Sequence, residues 1–182
     1  MKFNQSRFTL TALMWVSLLL SSCSVDTFEQ VAPAKFSDPE AGIEIENFSA
    51  VSFDGQKTAW NLKAQYANLL EKKQQTKVHM VHLLYYGDQS EPTDITADEG
   101  ILFEADKNLF LRGNVIVKSP NGRILYTEEL KWSDARNELR SDTRVKIIMS
   151  SGDILEGNGL LADRNLTRIE LVGGSGFHPS EK

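Results

Sequence analysis

Hydrophobic and polar residues alternate along Ile95–Val117, and this alternation defines the basic unit of the chain. Apolar residues recur at odd-numbered positions within Ile95–Phe103 and again within Leu109–Val117, on either side of the polar segment Ala105–Asn108. Two runs of period two around a short polar turn predict an antiparallel hairpin with one apolar face. Asp and Asn suit the turn because both tolerate left-handed backbone and hydrogen-bond their own main chain.

The unit recurs at an interval of thirty residues. The shift relates Ile95 to Leu125 and Leu155, Leu109 to Leu139 and Ile169, Leu111 to Ser141 and Leu171, Val115 to Val145, and Val117 to Ile147. Ser141 and Thr143 depart from the pattern, since they stand where the other units have apolar residues or Gly. A period of this length predicts a stack of similar strand–turn–strand units.

The segment before the repeats also has the character of strands. Ile43–Phe48 alternates, Asp54-Gly55 is a hairpin dipeptide, and Val78–Tyr86 is rich in apolar residues. Trp60, Leu62, Ala64 and Tyr66 lie two apart, which favours a strand, although the composition of Leu62–Leu70 also suits a helix.

About a dozen short strands without a long helix predict an all-β stack, sandwich or open roll whose outer strands have exposed edges. Such edges are candidate sites for the addition of a partner's strand. In the second unit the alternation changes parity between Thr127 and Leu130. An extra residue near Glu128-Glu129, a β-bulge, would produce this change.

Residues 1–22 have the pattern of a secretory signal. Lys2 and Arg7 precede the apolar run Leu10–Leu20, whose eleven residues are too few to span a bilayer, which takes about 20, and fit the 7–15 of a signal sequence. The following Leu20-Ser21-Ser22-Cys23 resembles a bacterial lipobox, which implies cleavage before Cys23 and acylation of its thiol and amine. The alternative is a plain signal peptide with an incidental cysteine.

Cleavage at this point leaves about 160 residues, the size of one domain. It removes Lys2 and Arg7 and no acid, so the formal net charge goes from −5 to −7. This charge argues against nucleic acid as the main partner. We divide the chain into the signal peptide 1–22, an acylated tether 23–42, a β domain 43–172 and a flexible tail 173–182.

No arrangement of reactive side chains indicates catalysis or metal binding. His79 and His82 are three apart, an odd separation that points side chains of a regular strand to opposite faces. The acidic pairs Asp98-Glu99 and Glu128-Glu129 likewise point apart. No Ser stands in a nucleophile elbow, and no Gly-rich loop joins a strand to a helix. We therefore expect neither an enzyme nor a cofactor.

The remaining candidate is an apolar inner face. The residues predicted to line it are Trp60, Leu62, Phe103, Leu109, Leu111, Val115, Val117, Trp132, Val145, Ile147, Ile169 and Leu171. These residues form either a closed core or the walls of a groove that admits acyl chains, and composition and period do not separate the two.

Six short motifs follow one another along roughly residues 43–172. They are Gly55-x-x-x-x-Trp60-x-Leu62-x-Ala64, Ile95-Thr96-Ala97-Asp98-x-Gly100, Leu109-x-Leu111-x-Gly113-x-Val115-x-Val117, Leu125-Tyr126-Thr127-Glu128, Ser141-Asp142-x-x-Val145-x-Ile147 and Gly152-x-x-Leu155-x-Gly157-x-Gly159-Leu160. Their order resembles that of the periplasmic lipopolysaccharide-export family. The chain resembles the membrane-anchored LptC type of this family, to which the soluble LptA type is related in fold.

The resemblance implies a twisted open β-jellyroll whose interior shields the lipid A acyl chains of lipopolysaccharide. It also implies docking to an inner-membrane ABC transporter of the LptBFG kind and transfer to an LptA-like partner by edge-strand pairing. Gly55 and Gly157 would be sensitive positions. Familiar members carry an uncleaved transmembrane helix, whereas a lipid at Cys23 would anchor this chain, on the periplasmic side of the inner membrane. Ser24 favours the outer membrane under enterobacterial sorting rules.

Three hypotheses follow from the sequence. The first is a lipid-transfer module of the lipopolysaccharide bridge. The second is a structural or assembly lipoprotein with a closed β core and no transported ligand. The third, an acid-dependent envelope hydrolase, would require Glu128 or Glu129 for activity. Acyl ligand retained through purification distinguishes the first from the second.

Overall fold

A computed structural model describes residues 42–86 and 91–177, which form twelve β-strands and one short 3-10 turn. The strands are β1 Ile43–Asp54, β2 Lys57–Leu70, β3 Gln75–Tyr85, β4 Thr93–Phe103, β5 Asn108–Lys118, β6 Ile124–Ser133, β7 Glu138–Ser141, β8 Val145–Ile148, β9 Ile154–Gly157, β10 Leu160–Asp163, β11 Ile169–Leu171 and β12 Ser175–Phe177. The 3-10 turn, Glu71–Lys73, joins β2 to β3.

All pairings between strands are antiparallel and belong to one sheet. The first six strands form a meander in sequence order, after which the sheet divides. One branch continues from β6 through β7 and β10 to β11, and the other continues from β6 through β8 and β9 to β12. The sheet does not close on itself, so the prediction of an open all-β stack of repeated strand–turn–strand units is confirmed.

Two local predictions before the repeats are also confirmed, although Tyr66 does not share the buried face of Trp60, Leu62 and Ala64. The Leu62–Leu70 segment lies within the strand β2 and is not a helix. Gly55 begins the two-residue turn between β1 and β2 with φ of 60°, as the first central residue of a type II′ hairpin requires. The sheet extends beyond the predicted boundary at residue 172, because β12 pairs with β9 inside the predicted tail 173–182.

A row of interrupted pairings crosses the long strands of the sheet. The row passes through Asn47, Gln65, Met80, Asp98 and the Gly113-Asn114 pair, where the ladders skip or shift. Asn47, Met80 and Asn114 have φ of 54°, 54° and 46°, left-handed values that let the chain turn out of the pleat. We call this feature the bend row. Beyond β6 it separates β7 from β8, β9 from β10 and β11 from β12.

The bend row divides the sheet into two walls that face each other. Wall A contains the strand segments on the side of the bend row that ends at Tyr85, Lys118 and Ile148. Wall B contains the segments on the other side, which end at Phe103 and Ser133. Both walls contribute to one core. Within wall A the repeat is visible as a continuous cross-strand series, in which Ile95, Val117, Leu125, Ile147 and Leu155 are paired in turn.

The bend row also changes which residues face inward, and this corrects one predicted site residue. In β4, Ile95 and Ala97 are buried, but after the shift Gly100 is buried and Leu102 packs against the core. Phe103 therefore lies on the outer side, beside Phe110. Its assignment to the inner face was wrong because the sequence pattern was read across the shift as one uninterrupted strand.

The bulge predicted near Glu128-Glu129 is present, but the extra residue lies in the neighbouring strand. Arg112 pairs with Glu129 and Val115 with Thr127. Two residues of β5, Gly113 and Asn114, thus oppose the single residue Glu128. The buried positions of β6 change from odd-numbered to even-numbered residues as predicted, whereas the additional residue belongs to β5.

Polar contacts explain why Ser141 and Thr143 depart from the apolar repeat. The strand is interrupted between β7 and β8, and Ser141 is buried at this interruption. Its Oγ lies 3.0 Å from Thr127 Oγ1 and 3.1 Å from Thr143 Oγ1, and it accepts a bond from the Thr143 backbone N–H at 3.2 Å. The hydroxyl groups thus pair polar atoms that the interrupted ladder would leave without partners.

Replacing Ser141 by Ala is expected to lower the free energy of unfolding by about 1–3 kcal/mol, because it removes a partner from buried hydrogen-bonding groups. Urea denaturation followed by circular dichroism measures the effect. Ser150→Ala in an exposed turn is the matched control, expected to stay within about 0.5 kcal/mol of wild type. Equal effects of the two substitutions would contradict a role for the hydroxyl at position 141.

Candidate functional site: the interior and the sheet edges

The structure brings eleven of the twelve predicted inner-face residues to the interior between the walls. Nine of them are buried: Trp60, Leu62, Leu109, Leu111, Val115, Val117, Trp132, Val145 and Ile147. Ile169 and Leu171 are half-buried and pack against the same core. Phe103 lies outside it, as described above. The pattern of period two therefore identified the residues that face the interior.

The interior is tightly packed where the free ends of the walls meet. The void there is lined by inner-face residues of both walls, among them Trp60, Leu83, Leu109 and Trp132, and measures about 10 Å³. A single water needs roughly that much space, and small-molecule sites measure about 300–1,000 Å³. The space between the wall ends is therefore filled by the protein's own side chains.

The two ends of the interior are more open than its middle. On β1 the inward residues Ile45, Phe48 and Ala50 are half-buried, and at the other end so are Leu155 and Ile169, although all five pack against the core. Apolar side chains of the inner face thus reach solvent at both ends of the stack. A neighbouring β unit at either end would continue this face.

Both ends of the stack are also strand edges with exposed apolar side chains. Among the described residues, the twelve-residue strand β1 pairs with β2 alone, and Val51 and Phe53 beside this edge are 45 % and 63 % exposed. At the opposite end Val172 and Phe177 are 68 % and 54 % exposed. The long edge of β1 presents free N–H and C=O groups to which another strand can pair, whereas the opposite edges belong to the three-residue strands β11 and β12.

A cation–aromatic cluster joins the ends of the walls. The Tyr85 ring of wall A meets the Trp132 ring of wall B edge to face, with centroids 5.0 Å apart. The Arg164 guanidinium carbon lies 3.9 Å from the Tyr85 centroid, and Nη1 lies 3.4 Å from Asp134 Oδ1. Burial lowers the pKa of Arg164, an effect that Tyr85 and Asp134 oppose. The cluster holds the two walls together at this point.

The two glycines expected to be sensitive have different structural requirements. Gly55 needs its positive φ in the first turn, and a Cβ there would meet no atom within 4 Å. Gly157 needs space, because a Cβ would lie 3.2 Å from both the Leu171 Cβ and the Val172 carbonyl oxygen. One position is thus constrained by conformation and the other by packing between β9 and the end of β11.

The two histidines lie on the same side of their strand. Met80 has left-handed backbone, with φ of 54°, and lies between His79 and His82, so the two histidines lie on the same outer side and not on opposite faces as a regular strand predicts. His82 Nε2 is 3.1 Å from Asp94 Oδ1. Among residues 42–86 and 91–177, no set of three or more His, Cys, Asp or Glu side chains could hold a metal ion.

Two predictions fall on segments that the structure does not describe. The signal peptide 1–22 and the lipidation site Cys23 lie outside the described residues, as does the tether up to residue 41. In the part of the chain that the structure covers, no helix is long and apolar enough to cross a membrane.

Comparison with known proteins identifies the family of this chain. The family model described as "Lipopolysaccharide-assembly, LptC-related" matches residues 9–175. A search of curated proteins finds no match. Among solved structures the chain is similar to the crystal structure of LptH from Pseudomonas aeruginosa, described as the LptA homologous periplasmic component of the conserved lipopolysaccharide transport device. The TM-score is 0.49 and the identity 16 %, covering 62 % of this chain and 80 % of that one. Because the family match spans most of the 182 residues, the chain belongs to the LptC-related lipopolysaccharide-assembly family.

Proposed function

We propose that the protein is a membrane-anchored, non-enzymatic carrier of the lipopolysaccharide bridge. It receives lipopolysaccharide from an inner-membrane ABC transporter of the LptBFG kind and passes it to an LptA-like periplasmic partner. The observation that carries this proposal is the course of the apolar inner face, which reaches solvent at both strand edges, at Ile45 and Phe48 on one side and Leu155 and Ile169 on the other.

The lipid A acyl chains fit this interior by their chemistry. Each methylene transferred from water to an apolar site gains about 0.8 kcal/mol, and the inner-face residues named above offer aliphatic and aromatic surface. The sugar and phosphate groups stay in water outside the walls. Strand pairing at the exposed edges would align the inner face of one roll with that of the next, so that the acyl chains move between them without crossing water.

Anchoring belongs to the same proposal. Acyl groups on Cys23 would hold the protein at the periplasmic side of the inner membrane, where the transporter releases its substrate, and several acyl chains anchor durably where one does not. Residues 24–42 would then act as a tether. Sorting to the outer membrane, which Ser24 favours under enterobacterial rules, would place the protein at the receiving end of the bridge instead.

A transfer experiment tests the proposal. The purified full chain is incubated with fluorophore-labelled hexa-acylated lipopolysaccharide, and the acceptor is the LptA-type protein of the same bacterium. We expect the wild-type chain to bind the probe and the acceptor to take it up. Val51→Lys at one edge and Val172→Lys at the other are both expected to leave binding of the probe intact. The variant at the edge that meets the acceptor is expected to reduce transfer, because a charge opposes strand addition.

Met80→Lys is the matched control, since Met80 is 54 % exposed on the outer side of β3, away from both edges. It is expected to transfer the probe as wild type does. If the wild-type chain does not bind the probe, the carrier function is wrong. If the Val51 and Val172 variants both transfer normally, edge pairing is wrong.

One observation favours a second candidate function. The void between the wall ends, beside Trp60, Leu83 and Trp132, is only about 10 Å³, as in a closed structural core. A structural or assembly lipoprotein with no transported ligand would have this packing and would use only its edges. Such a protein would not bind the probe but would still bind its partner protein, and the binding half of the experiment distinguishes the two.

A further inference from the structure

The turn between β10 and β11 reaches from one wall to the other. It comprises Asp163–Arg168 and leaves wall B at the pairing of Asp163 with Glu138. Its backbone is folded locally by the Asp163 carboxylate, which accepts bonds from the N–H groups of Asn165, Thr167 and Arg168 at 3.0, 2.8 and 2.7 Å. We call this segment the strap.

The strap is bonded to strand ends of wall A by side chains that are distant in sequence. Arg123 Nη1 donates to the carbonyl oxygens of Leu166 and Thr167, the latter at 3.0 Å. Asn121 Nδ2 donates to the Asn165 carbonyl at 2.9 Å, and Thr93 Oγ1 donates to Asn165 Oδ1 at 3.0 Å. The strap therefore spans the space between the free ends of the walls and is held there by polar contacts.

Leu166 fills the space beneath the strap. Its side chain has no exposed surface and belongs to the core cluster, although its backbone has a φ of 53°. A branched apolar residue in this conformation is uncommon and costs free energy. Because Asp163 also bonds the three neighbouring N–H groups, the turn is built to direct one apolar side chain inward. Leu166 therefore occupies apolar volume that the strands themselves do not fill.

We propose that the space occupied by Leu166 is the site at which an acyl chain enters the interior, and that the strap is a latch, held by Arg123, that closes this site when no ligand is bound. This inference rests on the proposed carrier function. Leu166 takes the place of the first part of the acyl chain, so that the empty protein exposes no apolar cleft. Release of the strap from Arg123, Asn121 and Thr93 separates the wall ends and admits the ligand. A packed interior in the empty protein is then compatible with the binding of acyl chains by the open one.

Covalent closure of the latch tests the proposal. Thr93→Cys and Asn165→Cys place thiols on two side chains that are in contact, and oxidation of the full chain in detergent bridges them, as mass spectrometry verifies. The Asn165→Cys chain alone reports any pairing with Cys23, the one natural cysteine. We expect the bridged chain to bind labelled hexa-acylated lipopolysaccharide at least about tenfold more weakly than wild type, because the open state is no longer populated. Reduction of the disulfide is expected to restore binding.

A second variant loosens the latch. Arg123→Gln removes the bonds to the Leu166 and Thr167 carbonyls and raises the fraction of open protein, so apparent affinity is expected to increase several-fold. Arg168→Gln, in the same strap but 73 % exposed, is expected to leave affinity unchanged. An arginine with a merely structural role would give weaker or unchanged binding on substitution.

The outcomes separate this inference from the function on which it rests. If wild type binds the probe and the bridged chain binds equally well, the latch is wrong and the carrier function stands. If Arg123→Gln binds as wild type does or more weakly, the latch is wrong as well. If the wild-type chain binds no lipopolysaccharide, the carrier function fails and the latch fails with it.

Discussion

Replacing Leu111 by Asp is expected to unfold the domain or to leave it barely folded. Leu111 has no exposed surface, pairs with Gly100 and Leu130 on its two sides, and lies in the middle of wall B. Loss of a buried Leu side chain costs about 2–5 kcal/mol, and burial of an unpaired carboxylate adds several more. Domains of this size are stable by only about 5–15 kcal/mol. Urea denaturation followed by tryptophan fluorescence measures the loss.

Leu111→Met is the matched control, because it keeps the volume and apolar character and is expected to cost less than about 1.5 kcal/mol. Arg112→Gln next to it changes a side chain that is 64 % exposed and is expected to have a small effect. A Leu111→Asp chain with wild-type stability would contradict the packed interior and would mean that water reaches position 111.

Replacing Gly113 by Ala is expected to be the most damaging glycine substitution in the bend row. Gly113 has φ of 76°, and a Cβ there would lie 2.7 Å from Asp98 Oδ2 and 3.0 Å from Asp98 Cβ. The strained backbone alone costs about 1–3 kcal/mol. Displacement of Asp98 would also break its 2.7 Å bond from Asn114 Nδ2. We expect a loss of about 2–4 kcal/mol in the free energy of unfolding.

Gly152→Ala separates the two causes. Gly152 has φ of 90°, but no atom lies within 4 Å of its Cβ position. This variant therefore has the free-energy cost of the backbone conformation without a steric clash. A double substitution, Gly113→Ala with Asp98→Ala, is expected to lose less than the sum of its single variants, because it removes the closest contact. Equal losses for Gly113→Ala and Gly152→Ala would show that Asp98 does not constrain the bend.

The alternation of residues was sufficient to predict the strands and most of the interior. Period two reports which side of a strand is buried, so residues such as Leu109 and Val117 were placed correctly without knowledge of their neighbours. The thirty-residue period then indicated that successive hairpins stack, and the cross-strand series from Ile95 to Leu155 is the structural form of that period.

The bend row marks the limit of that reasoning. Both a bulge and a single left-handed residue change which side of the strand is buried, and nothing in the type of a residue such as Met80 indicates that it will adopt a left-handed conformation. Phe103 and the two histidines were misplaced for this reason. Gly113-Asn114 was the available signal, since Gly and Asn are the residues that most readily take positive φ.

The strap was missed for a different reason. Its turn, Ala162–Asn165 onwards, reads as one more polar hairpin turn of the repeat, and Leu166 follows it as an isolated apolar residue. What distinguishes it are contacts with Arg123, Asn121 and Thr93, which lie more than forty positions earlier in the chain. Contacts of that separation depend on how the two walls meet, and local patterns carry no information about them.

The passage of lipopolysaccharide through the interior is tested most directly by photocrosslinking in cells at two adjacent positions of β4. Leu102 and Phe103 are both half-buried, but Leu102 packs against the core and Phe103 lies on the outer side. A benzophenone amino acid is placed at one or the other in the full chain, and adducts are detected with antibody to lipopolysaccharide. A lipopolysaccharide adduct at position 102 and none at position 103 is the predicted result. No adduct at position 102 in a folded, membrane-bound protein, or equal adducts at both positions, would contradict transport between the walls.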